Sequence, residues 1–179
     1  MKKQVKHLTL AMLGLAVAPM AFAQMAPGTG QVTFNGELYD DTCVIDAGDD
    51  DKTVTLPTLS TQSLAAAGQV AGSRMFEISV SQCPATLTSV AAHFETTNMS
   101  PNTRNAVNQA SASPAGNVEV QLLDRDGTTP IKLGSTGTFV PIDAASGTAE
   151  MSYGGQYYAT APTTAGNVTA IVRYTLAYQ

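Results

Sequence analysis

The 179-residue chain has no tryptophan, only two cysteines and two histidines, and charged residues make up just 13% of it. Each shortage removes a class of function. Cys43 and Cys83 are forty residues apart with no Cys-x-x-Cys between them, which argues against a zinc or redox pair. His7 falls in the opening residues, so His93 is the one imidazole left for the body of the chain. It sits in an apolar run with Val90 and Phe94 and reads as a strand residue facing solvent or a loop partner. No Gly-x-Ser-x-Gly nucleophile elbow and no metal-ligand cluster is present. Asp124 and Asp126 could in principle share acid–base work, but a hairpin turn ending in Gly127 accounts for them better. Asp49, Asp50 and Asp51 lack the ligand spacing of a cation site and read as a solvated loop. No catalytic residue, metal site or cofactor is assigned.

Long apolar runs are also missing. Leu8 to Ala18 is too short to serve as a permanent bilayer anchor. Lys2, Lys3 and Lys6 precede it and Ala21-Phe22-Ala23 follows, with small residues at the two positions a signal peptidase reads. Residues 1–23 are therefore expected to be a cleaved export signal, leaving a chain from Gln24 of 156 residues, which is 179 less 23. That length suits a single domain with a real core. Cleavage removes three of the nine basic residues and none of the fourteen acidic ones, which takes the net charge from −5 to −8. A nucleic-acid partner is disfavoured by that charge. Export also places Cys43 and Cys83 where oxidation is permitted, and they are expected to bond. Closing a loop of that size constrains the unfolded chain by about 4 kcal/mol in the chain-entropy model.

What is abundant is Thr, Val, Ser, Gly and Ala, in short apolar runs separated by turn residues and without a sustained helical period. Strands are expected at residues 32–39, 54–56, 74–81, 90–95, 118–123, 131–133, 139–142, 150–160 and 168–178. Asp126-Gly127, Ser146-Gly147 and Gly154-Gly155 read as turns, and residues 62–70 as one short helical turn. Residues 46–52, 98–116 and 161–166 read as loops, the second of them exposed. The pattern is an all-β sandwich.

The two ends of this β chain carry the strongest signals. Val168, Ala170, Val172, Tyr174, Leu176 and Tyr178 share one parity of the last segment, while Asn167, Thr169, Arg173, Thr175 and Gln179 share the other, with Ile171 and Ala177 as apolar exceptions. A strand with one apolar face and nothing after it needs a cover on its edge and its face. At the other end, Ala26, Gly28, Gly30, Val32 and Phe34 alternate with Pro27, Thr29, Gln31 and Thr33. Composition alone would make this a floppy terminus, yet its parity makes it competent to pair as a strand. The short connection through Gly36 restrains its reach to the last strand of its own chain, a limit that a neighbour's segment does not share.

Gly30-Gln31-Val32-Thr33-Phe34-Asn35-Gly36 leading to Cys43, Cys83 at a strand end, Gly166 near the end and Tyr178 next to last together resemble a fimbrial subunit of the chaperone–usher class, similar to type 1 major pilins. The resemblance covers all of the chain after the signal. It implies an incomplete immunoglobulin-like β-sandwich, the pilin fold, that lacks its last strand (residues 36–179) and carries an N-terminal donor-strand extension (residues 24–35). By this resemblance Gly166, Val168, Ala170, Val172, Tyr174, Leu176, Tyr178 and Gln179 form the strand beside the open groove. Ala26, Gly28, Gly30, Val32 and Phe34 fall on the donor strand. The groove would be filled by β-strand addition, first from a periplasmic chaperone whose basic residues anchor the Gln179 carboxylate, then from the extension of the next subunit. Such a head-to-tail contact propagates into a filament.

The implied partners are neighbouring pilin subunits, the chaperone and an outer-membrane usher, with no stable membrane insertion. The implied location is a fimbrium at the cell surface, reached through the periplasm. A two-domain tip adhesin is disfavoured because the length leaves no room for a receptor domain. A minor adaptor subunit shares both end motifs and stays open, and a periplasmic ligand-binding sandwich is the remaining competitor.

Overall fold

Ten β-strands and one short 3-10 turn build two sheets, as seen in a computed structural model that describes residues 30–36, 38 and 42–179. The first sheet orders β1 (Val44–Ile45), β2 (Val70–Ser81), β9 (Ala149–Ala159), β5 (Val118–Leu123) and β4 (Ala106–Val107), with β6 (Pro130–Ile131) also paired to β5. The second orders β10 (Arg173–Tyr178), β3 (Ser89–Glu95) and β7 (Ser135–Thr136), with β8 (Val140–Pro141) also on β3. Every named pairing is antiparallel.

Alternation in the sequence decides which face turns inward. Phe76, Ile78 and Val80 of β2 and Met151 and Tyr153 of β9 meet Val90, Ala92 and Phe94 of β3 in a shared core. Tyr153 spans the two sheets: its ring stands edge-on to Phe94 with centroids 4.9 Å apart, and its hydroxyl accepts the Ala92 N–H at 2.9 Å. Burial, opposed in part by the Ala92 bond, holds its phenol above the usual tyrosine range. A second, smaller cluster gathers Leu64, Val118 and Ala159 at one end. Cys43, buried just before β1, is bonded to Cys83, two residues past β2, and the bridge fixes the short β1 to β2, its one partner among the described residues.

Several elements differ from the sequence expectation, each for a visible reason. Gly154 and Gly155 are not a turn but the middle of β9, paired with Met75 and Arg74. A Cβ on Gly154 would come within 2.7 Å of the Met75 sulfur and 3.3 Å of Leu123 Cβ, so the glycine makes room for side chains from both neighbouring strands. Residues 54–56 form no strand. The expected exposed loop over residues 98–116 contains β4, and Ser100, Asn105 and Ala106 are buried. Glu119 of β5 pins it: its carboxylate accepts from Thr103 Oγ1 at 2.5 Å and Asn105 Nδ2 at 3.1 Å. The helical turn expected at residues 62–70 is a 3-10 turn at Thr61–Leu64, started by Ser60 Oγ accepting the Gln62 N–H.

Candidate functional site: the unpaired edge of the last strand

The C-terminal segment keeps its two-residue period over its whole length, although only its second half is a strand. β10 pairs with β3 from Arg173↔Glu95 to Tyr178↔Val90. β3 ends at Glu95, so residues 168–172 have no strand to pair with. They lie against the loop between β4 and β5, where the Gln109 N–H donates to the Thr169 carbonyl at 2.7 Å and the Thr169 N–H to Asn108 Oδ1 at 3.0 Å. The strand expected from residue 168 therefore begins at Arg173.

Throughout 168–178 the parity survives this change. Val168, Ala170, Val172, Tyr174, Leu176 and Tyr178 are each half-buried, and Asn167, Thr169, Ile171, Arg173, Thr175 and Gln179 are exposed, with Ala177 of the outward set the one half-buried exception. None of the inward set is fully buried, although Ala170, Val172, Tyr174, Leu176 and Tyr178 pack on the main core. The cause is topological. β10 is the outermost strand of its sheet, β1 is the outermost strand of the other, and no strand among the described residues pairs with the second edge of either. The sandwich is open along that side, with the apolar face of the last segment lining the opening.

Two tyrosines cross the opening. The Tyr174 hydroxyl donates to the Asp49 carbonyl at 2.7 Å. Tyr178 Oη accepts the Cys43 N–H at 3.1 Å and shares a short hydrogen bond with Thr42 Oγ1. Burial, then the charges of Asp49 and Asp50, push the Tyr174 phenol up. Asp49 is itself held: its carboxylate accepts from Lys52 Nζ and, at 2.7 Å, from the Ser79 N–H, and these bonds lower its pKa despite some desolvation. Neither crossing is legible in the sequence, where Tyr174 and Tyr178 are read only as members of the apolar parity. The inward parity of both tyrosines was the one signal available, because hydroxyl partners 125 and 135 residues away have no local trace.

The other sequence-assigned residues fall as follows. Gly166 is a bend packed on residues 113–115; an added Cβ would meet Ser113 O at 2.5 Å and Pro114 C at 2.6 Å. The Gln179 carbonyl oxygen is held at the start of β3, accepting from Thr88 Oγ1 at 2.7 Å and from the Thr88 and Ser89 N–H groups at 3.2 Å. Gly30, Val32 and Phe34 belong to no helix or strand, and Val32 and Phe34 are 76% and 91% exposed. Ala26, Gly28 and the expected signal at residues 1–23 lie outside the described residues. The Asp126 carboxylate serves the turn between β5 and β6, accepting from Thr128 and Thr129, whereas the Asp124 carboxylate reaches out of that turn to accept from Thr138, between β7 and β8. Among the described residues no group of side chains could hold a metal ion, and no helix is long and apolar enough to cross a membrane.

Comparison with known proteins gives a consistent picture. A family model described as fimbrial protein matches residues 32–179. The F17 fimbrial protein of Escherichia coli is 41% identical over 175 residues, covering 93% of this chain and 96% of that protein. The major fimbrial subunit SMF-1 of Stenotrophomonas maltophilia is 42% identical over 173 residues, covering 92% and 99%. Among solved structures, the P pilus rod subunit PapA superposes with a TM-score of 0.61 over 76% of this chain and 99% of its own, at 17% identity. That last likeness is one of fold, an immunoglobulin-like sandwich.

Proposed function

The chain belongs to the fimbrial protein family and is a structural subunit of a pilus, and from that premise we propose that it polymerises by donor-strand exchange along the open edge of β10. Residues 24–34 of one subunit enter the groove of another as an added strand, with Ala26, Gly28, Gly30, Val32 and Phe34 directed inward. The observation that carries this reading is a pair of unmet demands. The inner face of residues 168–178 stays half-buried beside an edge that no strand among the described residues pairs with, while Val32 and Phe34 are exposed. β-strand addition satisfies both at once, with main-chain bonds supplying affinity and alternate side chains supplying fit.

Before assembly the same edge is occupied by a periplasmic chaperone, and an outer-membrane usher receives the complex. Without such a cover an apolar edge invites aggregation. One Gln179 carboxylate oxygen is held by Thr88 and Ser89, and a basic group on the chaperone binds the exposed remainder of that carboxylate. The role is structural and not enzymatic. Similarity to a protein named as a major fimbrial subunit supports the shaft over a minor adaptor position.

The test is deletion of residues 24–34. The shortened chain is expected to fold and be captured by the chaperone, yet fail to enter the groove of a neighbour. Continued incorporation behind other subunits would refute the assignment.

A further inference from the structure

We propose that Tyr174 and Tyr178 are a two-rung clasp across the unfilled groove, and that release of their hydroxyls governs how fast a strand enters it. The inference deepens the donor-strand reading and rests on it. Both residues lie on the inward parity of β10, four positions apart, which is about 13 Å along a strand. Each reaches from the edge of one sheet to the edge region of the other: Tyr174 to the Asp49 carbonyl at 2.7 Å, Tyr178 to the Cys43 N–H at 3.1 Å and to Thr42 Oγ1.

The far ends of both rungs are fixed. Cys43 is buried, disulfide-bonded and next to the β1 ladder. Asp49 is held by Ser79 and Lys52 through its carboxylate and by the Asp46 carbonyl through its N–H. The near ends are set by the β10–β3 register, Tyr174 opposite Phe94 and Tyr178 opposite Val90. A rung anchored at both ends cannot drift aside as an exposed side chain would.

A strand pairing with β10 sends every second side chain into this space. At the two tyrosine positions it meets a ring tied across the opening, so the hydroxyl must let go before that side chain seats. Residues 168–172 place only Val168, Ala170 and Val172 on the inward face, with no polar group to tie across. Entry therefore starts over residues 168–172 and slows at the tyrosines. A neutral intramolecular hydrogen bond changes an equilibrium by about five-fold, so losing the one-bond Tyr174 rung speeds entry by about that factor and losing the two-bond Tyr178 rung by at least as much.

The experiment follows a fluorescein-labelled synthetic peptide of residues 24–35, in large excess, entering the groove of the chain from residue 24 to 179, by fluorescence anisotropy against time. Tyr174→Phe and Tyr178→Phe keep the rings and remove the hydroxyls, so the first is expected to raise the entry rate about five-fold and the second at least as much, with the final bound fraction no lower than in the parent. Thr42→Val, which leaves β10 untouched, should also speed entry, and Tyr158→Phe, whose hydroxyl makes no bond across the opening, should not. Thermal unfolding of each variant separates a looser clasp from a loosened fold. Entry rates equal to or below the parent's in the Phe variants overturn the clasp while leaving strand addition intact. A parent chain that never takes up the peptide overturns the donor-strand reading and the clasp with it.

Discussion

Replacing Phe34 with alanine separates a residue that serves its own domain from one that serves a neighbour. The side chain is 91% exposed, so removing it deletes no core contact. Surface substitutions of that kind change stability by no more than about 0.5 kcal/mol. In the assembled fibre the same ring would be buried, and full burial of a phenylalanine is worth about 1.5–3 kcal/mol. Because about 1.4 kcal/mol is a factor of ten in an equilibrium, Phe34→Ala should weaken each junction by roughly ten- to 150-fold while the unfolding midpoint of the unassembled subunit stays put. Such weakening acts mainly on dissociation. The assay is the temperature at which a ladder of multimers collapses to monomer on a gel, read beside thermal unfolding of the single subunit. Val32→Ala should act the same way with a smaller effect. A lower unfolding midpoint for the single subunit, with unchanged ladder stability, would refute the reasoning, because Phe34 would then belong to its own domain.

Three further outcomes follow from the packing. Cys43→Ser opens a bridge closing forty residues and should cost about 4 kcal/mol, a fall of about 10 °C in Tm for a domain of this size, measurable by calorimetry and reproduced by reduction of the parent chain. Gly166→Ala drives a methyl group into the backbone of residues 113–115 and should cost about 1–3 kcal/mol, whereas Gly30→Ala, with nothing within 4 Å of its Cβ, should leave subunit stability unchanged in denaturant titrations. Asp126 is held down to about 2 by its bonds from Thr129 and Thr128. A carboxylate with a depressed folded pKa stabilises above its unfolded value and loses that contribution as pH falls, so the β5–β6 turn should weaken between the ordinary aspartate value of 3.8 and about 2. A carboxyl NMR titration of Asp126 with a midpoint near 3.8 would contradict this.

Much of the fold was legible because a strand announces itself locally. The period of two placed β5 at residues 118–123, located most of β2, β3 and β9, and assigned the inward parity of residues 168–178 without reference to any partner. Turn chemistry behaved similarly: Asp126-Gly127 and Ser146-Gly147 stand where aspartates and positive-φ glycines close tight loops. The two-residue strands β1, β4 and β7 were not legible, since two residues carry no period and exist only through the ladder that a distant strand offers. Gly154-Gly155 misled for a related reason, because a glycine pair that turns a chain and one that makes room for Met75 and Leu123 look identical in sequence.

The sequence alone, through alternation and composition, determined that this is a β chain whose last segment turns one apolar parity inward. Those are properties of neighbouring residues, and neighbours are what a sequence records. Tertiary structure alone decided that β10 stands at a sheet edge opposite β1, that pairing stops at Arg173 because β3 ends at Glu95, and that Tyr174 and Tyr178 reach Asp49 and Cys43 across the opening. An edge is a strand on one side and none on the other, and that condition exists only once every strand has been placed.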